Sequence, residues 1–289
     1  MTTIYHVGVS GGKDSGATLL WMVHESGIDP KNIRASFCDT GNEDDRTYEH
    51  VRMLSRRVHP IEWVFPKLSF YDLAKSKGRF PSAKARFCTQ ELKMKPSKLY
   101  IDRLLNAGYV VIAVSGIRAD ESAARSKLLE WGGVMESYFG VREWRPLLNW
   151  TIEDVFLIHK KYGVPMNPLY EEGATRVGCQ LCIMSRKSDI RRVSIHSPEY
   201  IQNIRRHESA FLNGNNYSTF FARNAVPERF RTKKVTTAKG KVVRVATIDD
   251  VVEWSMTGHR AQGISQDVGG LFEGDDQPAV CPSHWGACE

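Results

Sequence analysis

Two rhythms of apolar and polar positions alternate along the chain up to residue 170. Short runs rich in β-branched residues at 4–9, 33–37, 61–65 and 110–115 predict strands. Runs at 17–23, 47–58 and 93–107 place apolar residues at helical spacing. Strand and helix in alternation predict an α/β fold, a doubly wound parallel sheet with helices on both faces. In such a sheet ligands sit at the carboxyl ends of the strands. Thr151-Ile152-Glu153-Asp154 has the form of a capping box opening a helix to about Tyr162. Thr247-Ile248-Asp249-Asp250 has the same form and opens a helix to about Met256. The stretch 213–216 and the tail from Gly258 are polar and rich in glycine, so they read as loops, and no internal repeat is visible.

The first strand runs straight into Ser10-Gly11-Gly12-Lys13-Asp14-Ser15. Two glycines let the backbone turn tightly and come close to a ligand. The amides and dipole of the following helix favour a negative charge there. Lys13 adds a point charge, and Ser10 and Ser15 add hydroxyl donors. The segment is a candidate phosphate cradle. It is not a Walker A loop, because Val7 stands at the first glycine position and Asp14 follows the lysine.

Composition changes this picture chiefly through charge. The chain has 289 residues, 42% hydrophobic and 25% charged, enough for one large domain or a domain with an appendage. No apolar run approaches the roughly 20 residues of a membrane helix. Met1-Thr2-Thr3-Ile4 lacks the basic and apolar pattern of a signal peptide, so a cytoplasmic protein is expected. There its six cysteines are expected as thiols, metal ligands or redox groups rather than as disulfides. The net charge is +7, with most of the surplus in the second half. One basic cluster lies at 186–206 and another at 223–244. Such clusters suit a polyanion, nucleic acid above all; a solvated basic face beside a phosphate-rich small substrate is the alternative.

The second strand ends in Asp39-Thr40-Gly41, beside the first loop. The fourth ends in Ser115-Gly116-Ile117-Arg118-Ala119-Asp120-Glu121-Ser122-Ala123-Ala124-Arg125. Arg118 and Arg125 could hold phosphate by bidentate hydrogen bonds. Trp144-Arg145-Pro146-Leu147 and Val164-Pro165-Met166-Asn167-Pro168-Leu169-Tyr170 follow, then Gly178-Cys179-Gln180-Leu181-Cys182. In this order the pieces resemble the phosphoadenosine phosphosulfate (PAPS) reductase family, part of the PP-loop ATP pyrophosphatase (adenine nucleotide alpha hydrolase-like) superfamily. The resemblance covers about residues 1 to 190. It implies a Rossmann-type sheet followed by a smaller, cysteine-containing basic region, and a loop that holds the pyrophosphate end of ATP while the α-phosphate is attacked. The implied binding residues are Ser10, Gly11, Gly12, Lys13, Asp14, Ser15, Asp39, Thr40, Gly116, Arg118, Glu121 and Arg125. Lys13, Asp14, Ser15 and Arg118 are the implied catalytic residues. Mg²⁺ is expected to bridge the phosphates, with Asp14 or Asp39 as its carboxylate. The expected organisation is a nucleotide-binding domain at 1–172, a basic helical region with the Cys-x-x-Cys at 173–235, and an extension at 236–289 of unassigned role.

Cys88 opens Cys88-Thr89-Gln90-Glu91-Leu92-Lys93-Met94-Lys95-Pro96. This segment resembles the first cysteine segment of the family, most of all in the Dnd-type branch that inserts sulfur into the DNA backbone. Thiolates such as Cys88, Cys179 and Cys182 suit an iron–sulfur cluster or zinc. Phe87 stands where related reductases carry a further cysteine, so the resemblance implies a [4Fe–4S] cluster with three ligands and one open iron. Cys281 or Cys288 could complete the set, with His196, His207 and His284 as weaker candidates; zinc and unmetallated thiols are alternatives. Cys38 reads as a small buried hydrophobe.

Three functions come into view. The first is an ATP pyrophosphatase that adenylylates an acceptor, DNA or tRNA, for sulfur insertion, with a cysteine desulfurase or thioredoxin-type donor as partner. The second is a reductase of adenylylsulfate or its 3′-phosphorylated form, which uses a Glu-Cys-Gly-Leu/Ile-His motif. The tail Gly286-Ala287-Cys288-Glu289 departs from that motif, and the loop keeps the ATP-cleaving pattern; both favour the first. The third is a metal-stapled nucleic-acid-binding module without catalysis, suggested by aromatic residues among the basic clusters.

Overall fold

The computed structural model describes residues 1–135, 137–212, 217–222, 225–237 and 240–257. These fall into two compact units, Met1–Ala74 with Ala85–Gln180, and Lys75–Lys84 with 181–257.

In the first unit, β1 (Thr3–Gly8) leads through the glycine loop into α1 (Lys13–His24), and β2 (Ile33–Cys38) into α2 (Asp45–Arg57). Next come β3 (Ile61–Val64) and α3 (Phe70–Ser76), the latter running into the second unit. A short α4 (Phe87–Thr89) continues through a π-helical turn, Gln90–Met94, into α5 (Lys95–Asn106), which precedes β4 (Val110–Val114). The helix expected at 93–107 therefore extends back to the segment of Cys88. β5 (Trp131–Gly132), β6 (Arg142–Trp144) and α6 (Ile152–Lys161) complete the unit. α6 opens on the expected capping box, with Thr151 and Asp154 bonding each other's backbone amides.

The strand order is β3-β2-β1-β4-β6-β5, parallel except for β5 against β6. Val7 of β1 lies beside Ala35 on one side and Val114 on the other. The chain thus leaves β1 towards β2 and later returns on the opposite side as β4. That reversal opens a crevice at the carboxyl end of β1, where the glycine loop lies.

Side-chain alternation along β1 decides the two faces. Val7 joins Leu19, Leu20, Leu54, Val155 and Ile158 in the larger core, which packs α1, α2 and α6 on the sheet. Ile101 of α5 packs with Val111, Ala113 and Val141 in a separate cluster. Each fully buried leucine contributes about 2 kcal/mol relative to exposure. Such anchoring holds the start of α1 firmly against the strand ends.

The second unit carries α7 (Lys187–His196), α8 (Pro198–Leu212), the antiparallel ribbon β7 (Lys233–Thr236) and β8 (Val242–Val245), and α9 (Ile248–Met256). α9 opens on the expected capping box of Thr247 and Asp250. Buried Glu208 of α8 accepts from the amides of Phe220 and Ile248, both at 2.7 Å, and so ties a loop and the start of α9 to one helix. No helix among the described residues is long and apolar enough to cross a membrane. The loops expected at 213–216 and beyond Gly258 lie outside the described residues.

Candidate active site

Gly11 makes the turn with φ +81°. A Cβ there would lie 2.7 Å from Thr47 Cγ2 on α2, so backbone and neighbour together exclude a side chain. Gly12 is the N-cap of α1 and offers no side-chain cap; the Lys13 amide is taken by a tyrosine hydroxyl, and the amides of Asp14 and Ser15, without an acceptor among the described residues, remain for an anion. Ser10 Oγ accepts from Gly12 N at 3.2 Å and lies 3.1 Å from Ser15 Oγ. Ser15 Oγ in turn donates to Gly12 O at 3.0 Å. The serines brace the loop as well as lining it.

Asp14 is buried and holds two cations, Lys13 Nζ and Arg118 Nε, each at 2.6 Å. Arg118 also gives Nη1 to both oxygens of Asp120, at 2.6 and 2.7 Å. Burial opposes the Arg118 charge, but the charge and hydrogen bond of Asp14, with Asp120 and Glu121, outweigh it and raise the guanidinium pKa. Arg118 Nη2 has no hydrogen-bond partner among the described residues. Glu121 accepts from the Arg118 amide at 2.9 Å and pairs with Arg125. The structure therefore brings Lys13, Asp14, Arg118 and Asp120 into one chain of ion pairs, to which the Glu121–Arg125 pair is joined through the Arg118 amide. Gly116 lets this segment press on α1, since a Cβ there would meet Thr18 Oγ1 at 2.6 Å and Asp14 O at 2.9 Å.

Asp39 stands at the end of β2, where its Oδ1 accepts from Gly41 N at 2.9 Å and Tyr48 OH at 2.8 Å. Its Oδ2 has no protein partner among the described residues. Of the two carboxylates expected to meet Mg²⁺, Asp14 is engaged by cations and Asp39 keeps an open oxygen. Thr40 faces inward, its amide and hydroxyl donating to Glu43 at 3.0 and 2.7 Å. It shapes the turn.

A cavity of about 110 Å³ adjoins the loop, lined by Ser10, Ser15, Phe37, Cys38, Ser115 and Gly116 among others. His6 also lines it, 2.8 Å from Ser36 Oγ and with its ring tilted against Tyr100 at 4.9 Å between centroids. Burial pushes the His6 pKa down to about 4, so the ring is neutral at pH 7. Cys38 is half-buried here, its thiol pushed up chiefly by burial, so it is a protonated wall group.

Three residues escape sequence reasoning. The Tyr170 hydroxyl accepts from Lys13 N at 3.1 Å, and its ring lies 5.6 Å from Lys13 Nζ. Asn167 Nδ2 reaches Gly11 O and Thr47 Oγ1, both at 3.2 Å. His159 Nε2 lies 2.9 Å from Lys13 O, in space that Gly16 leaves open. Their one local signal is the Asn167-Pro168 turn; the contacts bridge positions far apart in the chain.

Cys179 forms an isolated antiparallel bridge with Glu43, and Gln180 N donates to Asn42 O at 2.7 Å, which brings Cys179 beside the loop after β2. Cys88 and Cys179 belong to the first unit and Cys182 to the second, all three half-buried. No group of three or more His, Cys, Asp or Glu among the described residues is arranged to hold a metal. Of the other candidate ligands, Cys281, His284 and Cys288 lie outside the described residues. Mg²⁺ is a different case, because it takes one or two carboxylates and completes its shell with phosphate and water.

The sequence model of the phosphoadenosine phosphosulfate reductase domain matches residues 5–185, from β1 to just beyond the Cys-x-x-Cys. The chain belongs to the PAPS reductase family. The chain is 32% identical to an uncharacterised 37.8 kDa protein of Escherichia phage 186, across 100% of this chain and 97% of that one. Adenosine 5′-phosphosulfate reductase 2 of Bacillus subtilis is 26% identical over 53% of this chain and 63% of its own length. A solved PAPS reductase from Candida auris, in a phosphate complex, superposes with TM-score 0.46 at 22% identity, over 61% of this chain and 80% of its own. The chain thus spans the phage relative almost fully and under two thirds of the Bacillus reductase.

Proposed function

We propose that this PAPS reductase family member is an ATP pyrophosphatase that adenylylates an oxygen of a nucleic acid so that sulfur can replace it. The observation that carries the reading is the pair of cations on Asp14, set at the start of α1, where the Asp14 and Ser15 amides keep no acceptor among the described residues. Lys13 and Arg118 offset charge building on the leaving pyrophosphate, and the α1 amides hold its oxygens. Ser10 and Ser15 keep the loop open at the width Gly11 and Gly12 allow. Asp39, with its open Oδ2, would hold Mg²⁺, which would supply positive charge to the phosphates. Glu121 and Arg125 keep Arg118 in place, and Thr40 and Gly116 shape the two walls.

The acceptor oxygen attacks the α-phosphorus, its proton leaves to solvent, and pyrophosphate departs. The acceptor now carries AMP, a good leaving group. A persulfide on a cysteine desulfurase partner then displaces AMP, which leaves with the acceptor oxygen, and a thioredoxin-type dithiol supplies the two electrons that cleave the S–S bond to the carrier and is itself oxidised to a disulfide. The loop's intact Ser-Gly-Gly-x-Asp-Ser pattern supports ATP as the nucleotide.

A second reading, reduction of adenylylsulfate or its 3′-phosphorylated form to sulfite, is favoured by the likeness to the Bacillus reductase. One experiment separates the two. Pyrophosphate and AMP formed from ATP, and lost by at least about tenfold in Lys13→Ala, support the first, since one charged contact to a transition state is worth a few kcal/mol. Thioredoxin-dependent sulfite release without ATP cleavage supports the second.

A further inference from the structure

Between Arg229 and Arg244 every charged residue is a lysine or arginine. The structure folds this stretch into the β7–β8 ribbon of the second unit. Lys234 stands directly opposite Arg244, and Thr236 opposite Val242. By alternation these four share one face, and all four are exposed. The other face carries Lys233, Val235, Val243 and Val245, with Val243 and Val245 buried and Lys233 exposed at its end.

Like charges directly opposite each other on a ribbon destabilise it. The fold does nothing to relieve this pair. Among the described residues none of Lys233, Lys234, Lys241 and Arg244 forms an ion pair, although Arg205 nearby in sequence pairs with Asp249. The ribbon is nonetheless firmly seated. Thr232 Oγ1 donates to Asp250 at 2.7 Å, and Arg231 gives Nε and Nη2 to Val226 O at 3.1 and 2.9 Å. A rigid, outward face of uncompensated cations is pre-organised for a polyanion.

We propose that the β7–β8 ribbon is a docking surface for double-stranded DNA. This deepens the reading of the acceptor as nucleic acid and rests on it. A two-stranded antiparallel ribbon fits the major groove of B-form DNA, whereas the major groove of an RNA duplex is too narrow. Lys234 and Arg244 take phosphates at one end of the face, with Lys241 next to Val242 at the other. Thr236 and Val242 present small groups to base edges at the other end. Val242 is exposed on a strand that buries its two neighbouring valines, as a contact residue should be.

The test is fluorescence anisotropy of the full chain with a short labelled DNA duplex over a range of salt. Lys234→Glu with Arg244→Glu should weaken binding by at least about tenfold and lower the slope of log affinity against log salt by about two. Lys31→Glu with Lys67→Glu changes net charge equally and should weaken binding less than about twofold by the same principle. If the double reversal melts early, Lys234→Gln with Arg244→Gln serves instead, with the same direction expected. Equal losses in both pairs, an unaffected ribbon variant, tighter binding to single-stranded DNA or duplex RNA, or no duplex binding by the wild type each overturn the proposal. Failure of this surface and failure of the active-site reading are separable, because ribbon variants should take up ATP in calorimetry as the wild type does, and Lys13→Ala should bind the duplex normally.

Discussion

Asp14 governs the candidate site because two cations depend on it. Asp14→Asn preserves shape but leaves Lys13 and Arg118 facing an amide, and breaking a buried pair of this kind costs about 3 kcal/mol. Urea denaturation should show that loss; an unchanged midpoint would mean that Asp120 alone satisfies Arg118. Tyr170→Phe removes the acceptor of the Lys13 amide and should cost about 1 kcal/mol by the same measurement. The two residues differ in how they could be found. Lys13, Asp14 and Arg118 stand at strand ends in runs whose residue types announce phosphate chemistry. Tyr170 sits in a segment whose local pattern announces only a turn, and it meets Lys13 because α6 brings the chain back across α1.

Among the elements, the glycine loop is the most constrained. Gly11→Ala meets both an unfavourable φ and the Thr47 methyl, so the loop must move or α2 must yield. The left-handed conformation alone costs about 1–2 kcal/mol. ATP affinity measured by calorimetry should fall at least about tenfold, in line with that cost; wild-type affinity would show that the turn is not what holds phosphate. Strands with four or more apolar-rich residues were legible from alternation, as β1, β2, β3 and β4 show. β5 and β6 have two and three residues and carry Arg142 and Glu143, so no period could reveal them. The β7–β8 ribbon was hidden differently: its lysines read as a charged stretch, and only the pairing of Lys234 with Arg244 turns that stretch into a surface.

Across the whole molecule, titration should act on the two units in opposite directions. His6 and His50 of the first unit have pKa values lowered to about 4, mainly by burial. The unfolded chain binds these protons from about pH 6.5. Their contribution is therefore complete above that pH and is lost as pH falls towards 4. Glu208 of the second unit is raised to about 7, mainly by burial, against its two amide bonds. A raised carboxyl favours folding when protonated, so its contribution is present at low pH and lost as pH rises from about 4.5 to about 7. Between pH 7.5 and 5, hydrogen-exchange protection should decrease in β1 and α2 and increase in α8. Glu208→Gln should abolish the second trend, since the amide keeps an acceptor without a charge to desolvate. Parallel trends in both units would contradict this assignment.

The amino-acid sequence by itself determined the strand–helix order, the glycine turn of Ser10–Ser15 between a strand and a helix, the placing of Arg118 and Arg125 after a strand, and the caps of α6 and α9. Each of these is written in residues a few positions apart, where periodicity and turn chemistry act. Tertiary structure alone decided that Asp14 serves two cations rather than standing open to a metal. It also decided that Tyr170, Asn167 and His159 brace the loop, and that Lys234 and Arg244 oppose each other. Those outcomes depend on segments meeting across the fold, and packing of apolar faces, rather than any local preference, selects which segments meet.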